Sequence, residues 1–316
     1  MSHRIIFTLL SVFLCVFMAN AQDGIGRFYK IDRNESIYLP LGKISFADSI
    51  VHFRIGDPPP LKKYTDSKQS LHEPDYKYYE DATFVSLGCK GSLTVAFTNN
   101  GFMNLPGNDL YIFEVGPTRE AAKIEISQNG TDWIYAGNIA GGKSIIDLDN
   151  QQISSDIVFY YLRITDLKDL CKSKSAGADI DAVGAINSVI KLTINADVLF
   201  DVAKFSLKKS ANKTLDSLSN IIRQVDKATI LVEGHTDSDG TDEYNYELSK
   251  NRCNSVIKKL KFLFRKNSDY DYDAIPYGET RPKVDNDTDS NKQINRRVEI
   301  TVLPPKDYFD SILKKN

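Results

Sequence analysis

Asp237 and Arg252 stand fifteen positions apart in the stretch GHTDSDGTDEYNYELSKNR, residues 234–252, which also holds one histidine and two glycines. A carboxylate and a guanidinium brought together by one loop and one helix are the two arms that a zwitterion requires. The aspartate takes an ammonium, and the arginine grips a carboxylate with two parallel hydrogen bonds. The same residues can instead close on each other as a structural ion pair, and the spacing alone leaves both readings open. A calcium loop is excluded. Counted from Asp237, Gly240 falls at the fourth position, not the sixth, and Leu248 occupies the twelfth, where a bidentate Glu is needed. Zinc is disfavoured as well, because His3, His52, His72 and His235 are scattered and neither HExxH nor CxxC occurs.

The elements that must position this pair are legible on either side of it. ATILVEGH reads as a strand, HTDSDG as a turn, and a helix is predicted from near Asp242 to about Phe264, with Cys253, Val256, Ile257, Leu260 and Leu263 on its inner side. Thr241 or Asp242 suits the N-cap, and Asp242 with Glu243 complements the positive end of the helix dipole. Arg252 lies about three turns into that helix and leans back toward its N-terminus, hence toward Asp237. INADVLF is expected to be a strand and 206–225 an amphipathic helix, through Leu207, Ala211, Leu215, Leu218, Ile221, Ile222 and Val225. AIPYGE and RRVEITV complete an order β-α-β-α-β-β, an α/β layer with its helices on one face.

From Gly24 to about Asn187 the pattern differs. Short runs such as SIVHFRI, SLTVAF, DLYIFEV, AKIEIS and VFYYLRIT alternate with NNG, PGND, QNG and AGG turn signals, which predicts an all-β sandwich or jelly roll. Asn129-Gly130 should close a hairpin. The stretch GDPPPLKKYTDSKQSLHEPDYKYYED is expected to be a long surface loop. GNIAGGKS, residues 137–144, matches a phosphate-loop pattern, but no helical stripe follows it, so it reads as a glycine turn.

The expected organisation is a leader at 1–21, an all-β domain at 22–188, an α/β domain at 192–302 and a loosely attached tail at 303–316. MSHR, the apolar IIFTLLSVFLCVFM and ANA form an export signal with cleavage before Gln22; an uncleaved anchor is the alternative. Cys15 is not read as a lipid-bearing cysteine, since apolar residues continue past it. Hydrophobic content of 41%, charged content of 26% and a net charge of -2 fit a globular chain with no basic field for nucleic acid. Export makes a Cys89–Cys171 bridge feasible, whereas Cys253 falls on a buried helix face.

VLFD (198–201), ILVEGHTDSDGTDEYNYELSKNRCNSV (230–256), IPYGETRP (275–282) and NRRVEI (295–300) resemble, in family order, the peptidoglycan-binding C-terminal domain of outer membrane protein A, shared with Pal lipoproteins and the MotB stator protein. The resemblance spans nearly all of 192–302. It implies non-covalent binding of the diaminopimelate of the peptide stem, with the family's aspartate at Asp237 and its arginine at Arg252. Supporting positions implied by it are Phe200, Asp201, Thr236, Asn245, Leu248 and Arg296. Cys253 departs from the alanine usual there, which affects packing only.

The first half resembles a galactose-binding-like β-sandwich module of bacterial secreted and surface proteins, through segments such as LPGNDLYIFEVG and GADIDAVGAI. In that kind of module calcium often ties loops together, and Asp109, Asp179 and Asp181 supply oxygen ligands of the right type. Alternatively Asp109 and Asp179 cap turns, and Asp181 pairs with Arg163. Trp133, Tyr111 and Tyr135 can form either a sugar-stacking surface or core.

These residues predict a non-catalytic protein of a Gram-negative envelope, exported to the periplasm or outer membrane. It would bind peptidoglycan through its C-terminal domain, and an outer-membrane component, surface partner or glycan through its sandwich. The alternatives are a wall-associated hydrolase, or a subunit of a secretion or motor complex.

Overall fold

The computed structural model describes residues 26–32, 34–115, 120–141, 144–167, 174–266 and 269–313. The expected leader lies outside them, as does Cys171. No helix among the described residues is long and apolar enough to cross a membrane.

The first half is antiparallel throughout. A hairpin of β1 (Arg27–Lys30) and β2 (Ser36–Leu39) precedes β3 (Ser49–Arg54), β4 (Val85–Ser86), β5 (Ser92–Ala96) and β6 (Gly101–Phe102). Then follow β7 (Leu110–Glu114), β8 (Ala122–Ser127), β9 (Ile134–Ile139), β10 (Ile145–Ile146), β11 (Tyr161–Asp166) and β12 (Asp179–Ala185). One sheet has the order β10-β7-β12-β4 and a second the order β3-β5-β11-β8-β9. Side chains of both, among them Leu93, Ile112, Ile124, Leu162 and Val183, meet in one core. The expected hairpin forms between β8 and β9, but Ile126 pairs with Ile134, so its loop is longer than a two-residue turn. Asn129 organises that loop: its Oδ1 accepts from the N–H groups of Thr131 and Asp132, both at 2.9 Å. The phosphate-loop match lies partly outside the described residues; its first residues belong to β9, and the residues directly after it form β10, a strand and not a helix.

In the second half β13 (Ser188–Asn195) is followed by the short α1 (Ala196–Leu199), then α2 (Ala211–Ile222), β14 (Ala228–His235) and α3 (Asp242–Leu263). β15 (Tyr270–Gly278), α4 (Asp289–Asn295), β16 (Arg297–Leu303) and α5 (Lys306–Leu313) complete the chain. The sheet order is β15-β14-β16-β13-β6, with only β14 and β15 parallel among these pairs. Leu215, Ile222, Val256 and Leu260 of the helices pack on Ile230, Val232 and Ile300.

Three expectations are corrected. INADVLF is not one strand, because the Asn195 side chain accepts from Asp197 N–H and caps α1, ending β13. The first long helix starts at Ala211 rather than 206, since Phe200 and Leu207 form a β-bridge that holds the preceding segment. Residues 306–313 form a helix instead of a loose tail. Lys227 and Lys306 pair with Asp307 and Asp273, and Tyr308 packs against Tyr38.

The halves are continuous. β6 of the first half hydrogen-bonds to β13, and Leu41 and Ile44 are buried in the core of the second. The boundary expected near 188–192 is therefore crossed by both main-chain bonds and apolar contacts.

Candidate functional site

β14 carries His235 at its end, and the turn after it is closed by Thr241, whose side chain accepts from Tyr244 N–H and caps α3. Close approach of α3 to β14 depends on Gly234. A Cβ there would stand 2.7 Å from both Cys253 Sγ and the Ser249 carbonyl oxygen. With the helix seated so tightly, Asp237 and Arg252 line one pocket of about 270 Å³ with Asp197, Thr236, Asn245 and Arg296.

The two main residues do not pair with each other. Asp237 accepts from Arg296 Nη1 at 2.7 Å and from the Asp239 N–H at 3.2 Å. Arg296 also forks onto Asp197 with bonds of 3.2 and 3.0 Å, so it ties two carboxylates together. Those hydrogen bonds, first the one to Asp197, push its pKa up.

Arg252 is 3% exposed. Its Nε donates to the Lys204 carbonyl at 3.0 Å, and its guanidinium stands 5.2 Å from the Phe200 ring centroid. Among the described residues no carboxylate lies within ion-pair distance of it. Burial lowers its pKa, against the more distant attraction of Asp197 and Asp237. A buried cation without a paired anion is costly. The Thr236 hydroxyl is also buried and has no hydrogen-bond partner in the protein. Arg252 thus lacks a paired anion and the Thr236 hydroxyl lacks a partner, while Asp237 retains lone pairs for a further donor.

The supporting residues divide. Asn245 Nδ2 holds the Asp237 carbonyl at 3.3 Å and Glu279 at 2.5 Å. Leu248 lines the wall, and Phe200 backs Arg252. Asp201 is not at the pocket: it is exposed and turned to Lys204 and Lys208, whose hydrogen bonds and charges lower its pKa. Sequence reasoning missed Asp197, hidden in a segment read as strand, and Tyr244, Val202 and Ala203. Only the cap-like Asn195-x-Asp197 spacing pointed to the break.

In the first half the three aspartates do not gather into one cation site. Among the described residues no three His, Cys, Asp or Glu side chains are placed to hold a metal. Asp109 accepts from the Leu105 and Leu148 N–H groups and from Asn187. Asp179 accepts from Ser86, and Asp181 from the N–H groups of Asp75 and Tyr76. Burial pushes each carboxyl up to about 7. Arg163 pairs with Glu125 rather than Asp181 and lies over Trp133, 4.2 Å from the ring centroid. Tyr111 is core while Tyr135 is exposed, so the three aromatics share no surface. Cys89 is disulfide-bonded, and the expected partner lies outside the described residues. Cys253 is a buried free thiol whose pKa burial pushes up to about 12.

The OmpA family model matches residues 199–296. Outer membrane porin F of Pseudomonas aeruginosa is 36% identical over 141 residues, covering 44% of this chain and 39% of that protein. Outer membrane protein P5 of Haemophilus influenzae is 34% identical over 113 residues, covering 36% of this chain and 31% of that protein. The chain thus spans well under two thirds of either relative. Among solved structures, the cell wall anchor of the T6SS from Pseudomonas aeruginosa aligns with a TM-score of 0.33 and 30% identity, over 38% of this chain and 85% of that one.

Proposed function

Residues 199–296 are an OmpA-family domain, and we propose that through it the protein holds peptidoglycan without catalysing a reaction on it. OmpA-like domains bind peptidoglycan and anchor envelope proteins, and the relatives named above are outer-membrane proteins. The ligand group in this reading is the side chain of diaminopimelate, with its carboxylate on Arg252 and its ammonium on Asp237. The observation that carries it is Arg252, buried at the pocket and, among the described residues, without an ion pair of its own. A ligand carboxylate would supply the missing anion in a desolvated setting, where charge-assisted bonds are strongest. The Thr236 hydroxyl would donate to the same ligand.

The protein belongs, in this reading, in the periplasm or at the outer membrane. Its first half would bind an outer-membrane component or surface glycan, and a disulfide between Cys89 and Cys171 would brace it. One stem peptide buries little area, so single contacts would be weak and the repeating wall would hold by avidity.

Co-sedimentation with purified sacculi tests this. Walls whose stems carry diaminopimelate should pellet the protein, whereas stems carrying lysine lack the side-chain carboxylate and should not. Release of soluble muropeptides during incubation would overturn the non-catalytic part. Equal pelleting with both wall types would overturn the assignment of Arg252.

A further inference from the structure

On the other face of the second-half sheet lies a separate cavity of about 310 Å³, lined on its far side by Gln128, Asp156, Val158 and Tyr160 of the first half. Side chains alternate along a strand, so His235 faces this cavity while Thr236 faces the pocket described above. His235 is 3% exposed, and neither ring nitrogen has a hydrogen-bond partner in the protein. Its ring is fixed by stacking on Tyr277, centroids 5.1 Å apart, and Tyr277 in turn carries Arg281 at 4.4 Å. A buried polar side chain held rigid with both nitrogens idle is expensive unless something else satisfies it.

The charges around it define that something. Glu299 is already taken by Lys191 at 2.6 Å and Arg297 at 2.8 Å, and Asp156 by Arg281 at 3.0 Å. Glu233 stands 3.9 Å from Lys191. Lys283 lines the cavity, exposed, with no ion pair among the described residues. Cations therefore exceed anions by one, which disfavours a metal or an ammonium and calls for one negative charge. A neutral imidazole offers one N–H and one lone pair. A carboxylate satisfies only the first, but a hydroxyl both accepts and donates. The volume lies at the lower end of the ~300–1,000 Å³ range of ligand pockets, so the ligand is small.

We propose that this cavity is a binding site for a hydroxylated monoanion of the sugar-acid class, its hydroxyls on His235 and its carboxylate toward Lys283. A free sugar acid and a uronic-acid unit of a polysaccharide share that chemistry. The site is independent of the peptidoglycan reading, because it uses the opposite sheet face and none of the same side chains.

The test is titration of the full chain with galacturonate, its linear trimer, glucose and acetate, following the imidazole ¹⁵N signals of His235, assigned by their loss in His235→Gln. Galacturonate should shift them saturably in the millimolar range, as expected for so small a ligand. Lys283→Ala, a surface change, should weaken binding about two- to fivefold. Arg252→Ala should leave it unchanged. Binding of the trimer alone identifies a polysaccharide unit, and binding of the monomer a free acid. The proposal is overturned if neither moves the His235 signals, or if acetate moves them as far as galacturonate does.

Discussion

Arg252 is where chemistry and stability part company. A side chain kept for an ion pair loses stability when replaced, but this guanidinium gives up water for one carbonyl bond and an aromatic face. Arg252→Leu should therefore unfold at a denaturant concentration no lower than the parent, while losing retention on sacculi. A fall of several kcal/mol would instead mark Arg252 as structural. Asp237→Asn should cost only about 1 kcal/mol, since Arg296 keeps its fork on Asp197, yet should also abolish retention. His235 gives the residue scale a pH signature. Burial lowers its pKa to about 4, from an ordinary value near 6.5. Between those values the unfolded chain binds the proton more readily, so this group's stabilisation is complete above pH 6.5 and is lost as pH falls toward 4. The buried Asp109, Asp179 and Asp181, pushed up to about 7, act in the opposite sense over much of that range. The clean readout is the difference between parent and His235→Gln. It should move in the variant's favour by up to about 3 kcal/mol as pH falls from 6.5 to 4, in denaturation curves taken at each pH.

At the scale of elements, the pocket depends on how tightly α3 lies on β14. Gly234→Ala would drive a methyl group into Cys253 Sγ and the Ser249 carbonyl. The helix must then lift, which should cost about 1–3 kcal/mol and weaken sacculus retention through displaced Arg252. A thermal melt and a pelleting curve on the same variant would show both effects. α3 itself was legible in the sequence almost to the residue, because Thr241 and the acids after it are start signals that act locally. α1 was not. VLFD belongs to an alternating apolar run, and only the Asn195 cap and the bridge from Phe200 to Leu207 break it into a turn of helix. The β8–β9 hairpin shows the same limit: Asn129-Gly130 marked the reversal, but strand pairing decided the loop length.

The whole molecule is less divisible than its two patterns of periodicity suggest. Leu41 and Ile44 complete the core of the second half, and Tyr308 packs back against Tyr38 of the first hairpin. Equilibrium unfolding in denaturant should therefore show one transition by both tryptophan fluorescence, which reports Trp133, and far-ultraviolet circular dichroism. Two independent domains would give two. Leu41→Ala should lower that single transition by about 2–5 kcal/mol, although Leu41 lies far from α2 and α3 in sequence.

The residues by themselves determined the two long helices and the strands β14, β15 and β16 around them, though not α1, α4 or α5, and the presence of an acid and an arginine on one strand-turn-helix unit. Periodicity, caps and turn residues act over a few positions and can be read without knowing what packs where. Only the tertiary structure decided that Asp237 turns to Arg296 and leaves Arg252 without an anion. It also dispersed Asp109, Asp179 and Asp181 and placed the first half over His235. Each of these outcomes depends on groups far apart in the chain competing for the same buried partner, and that competition exists only once the chain has closed on itself.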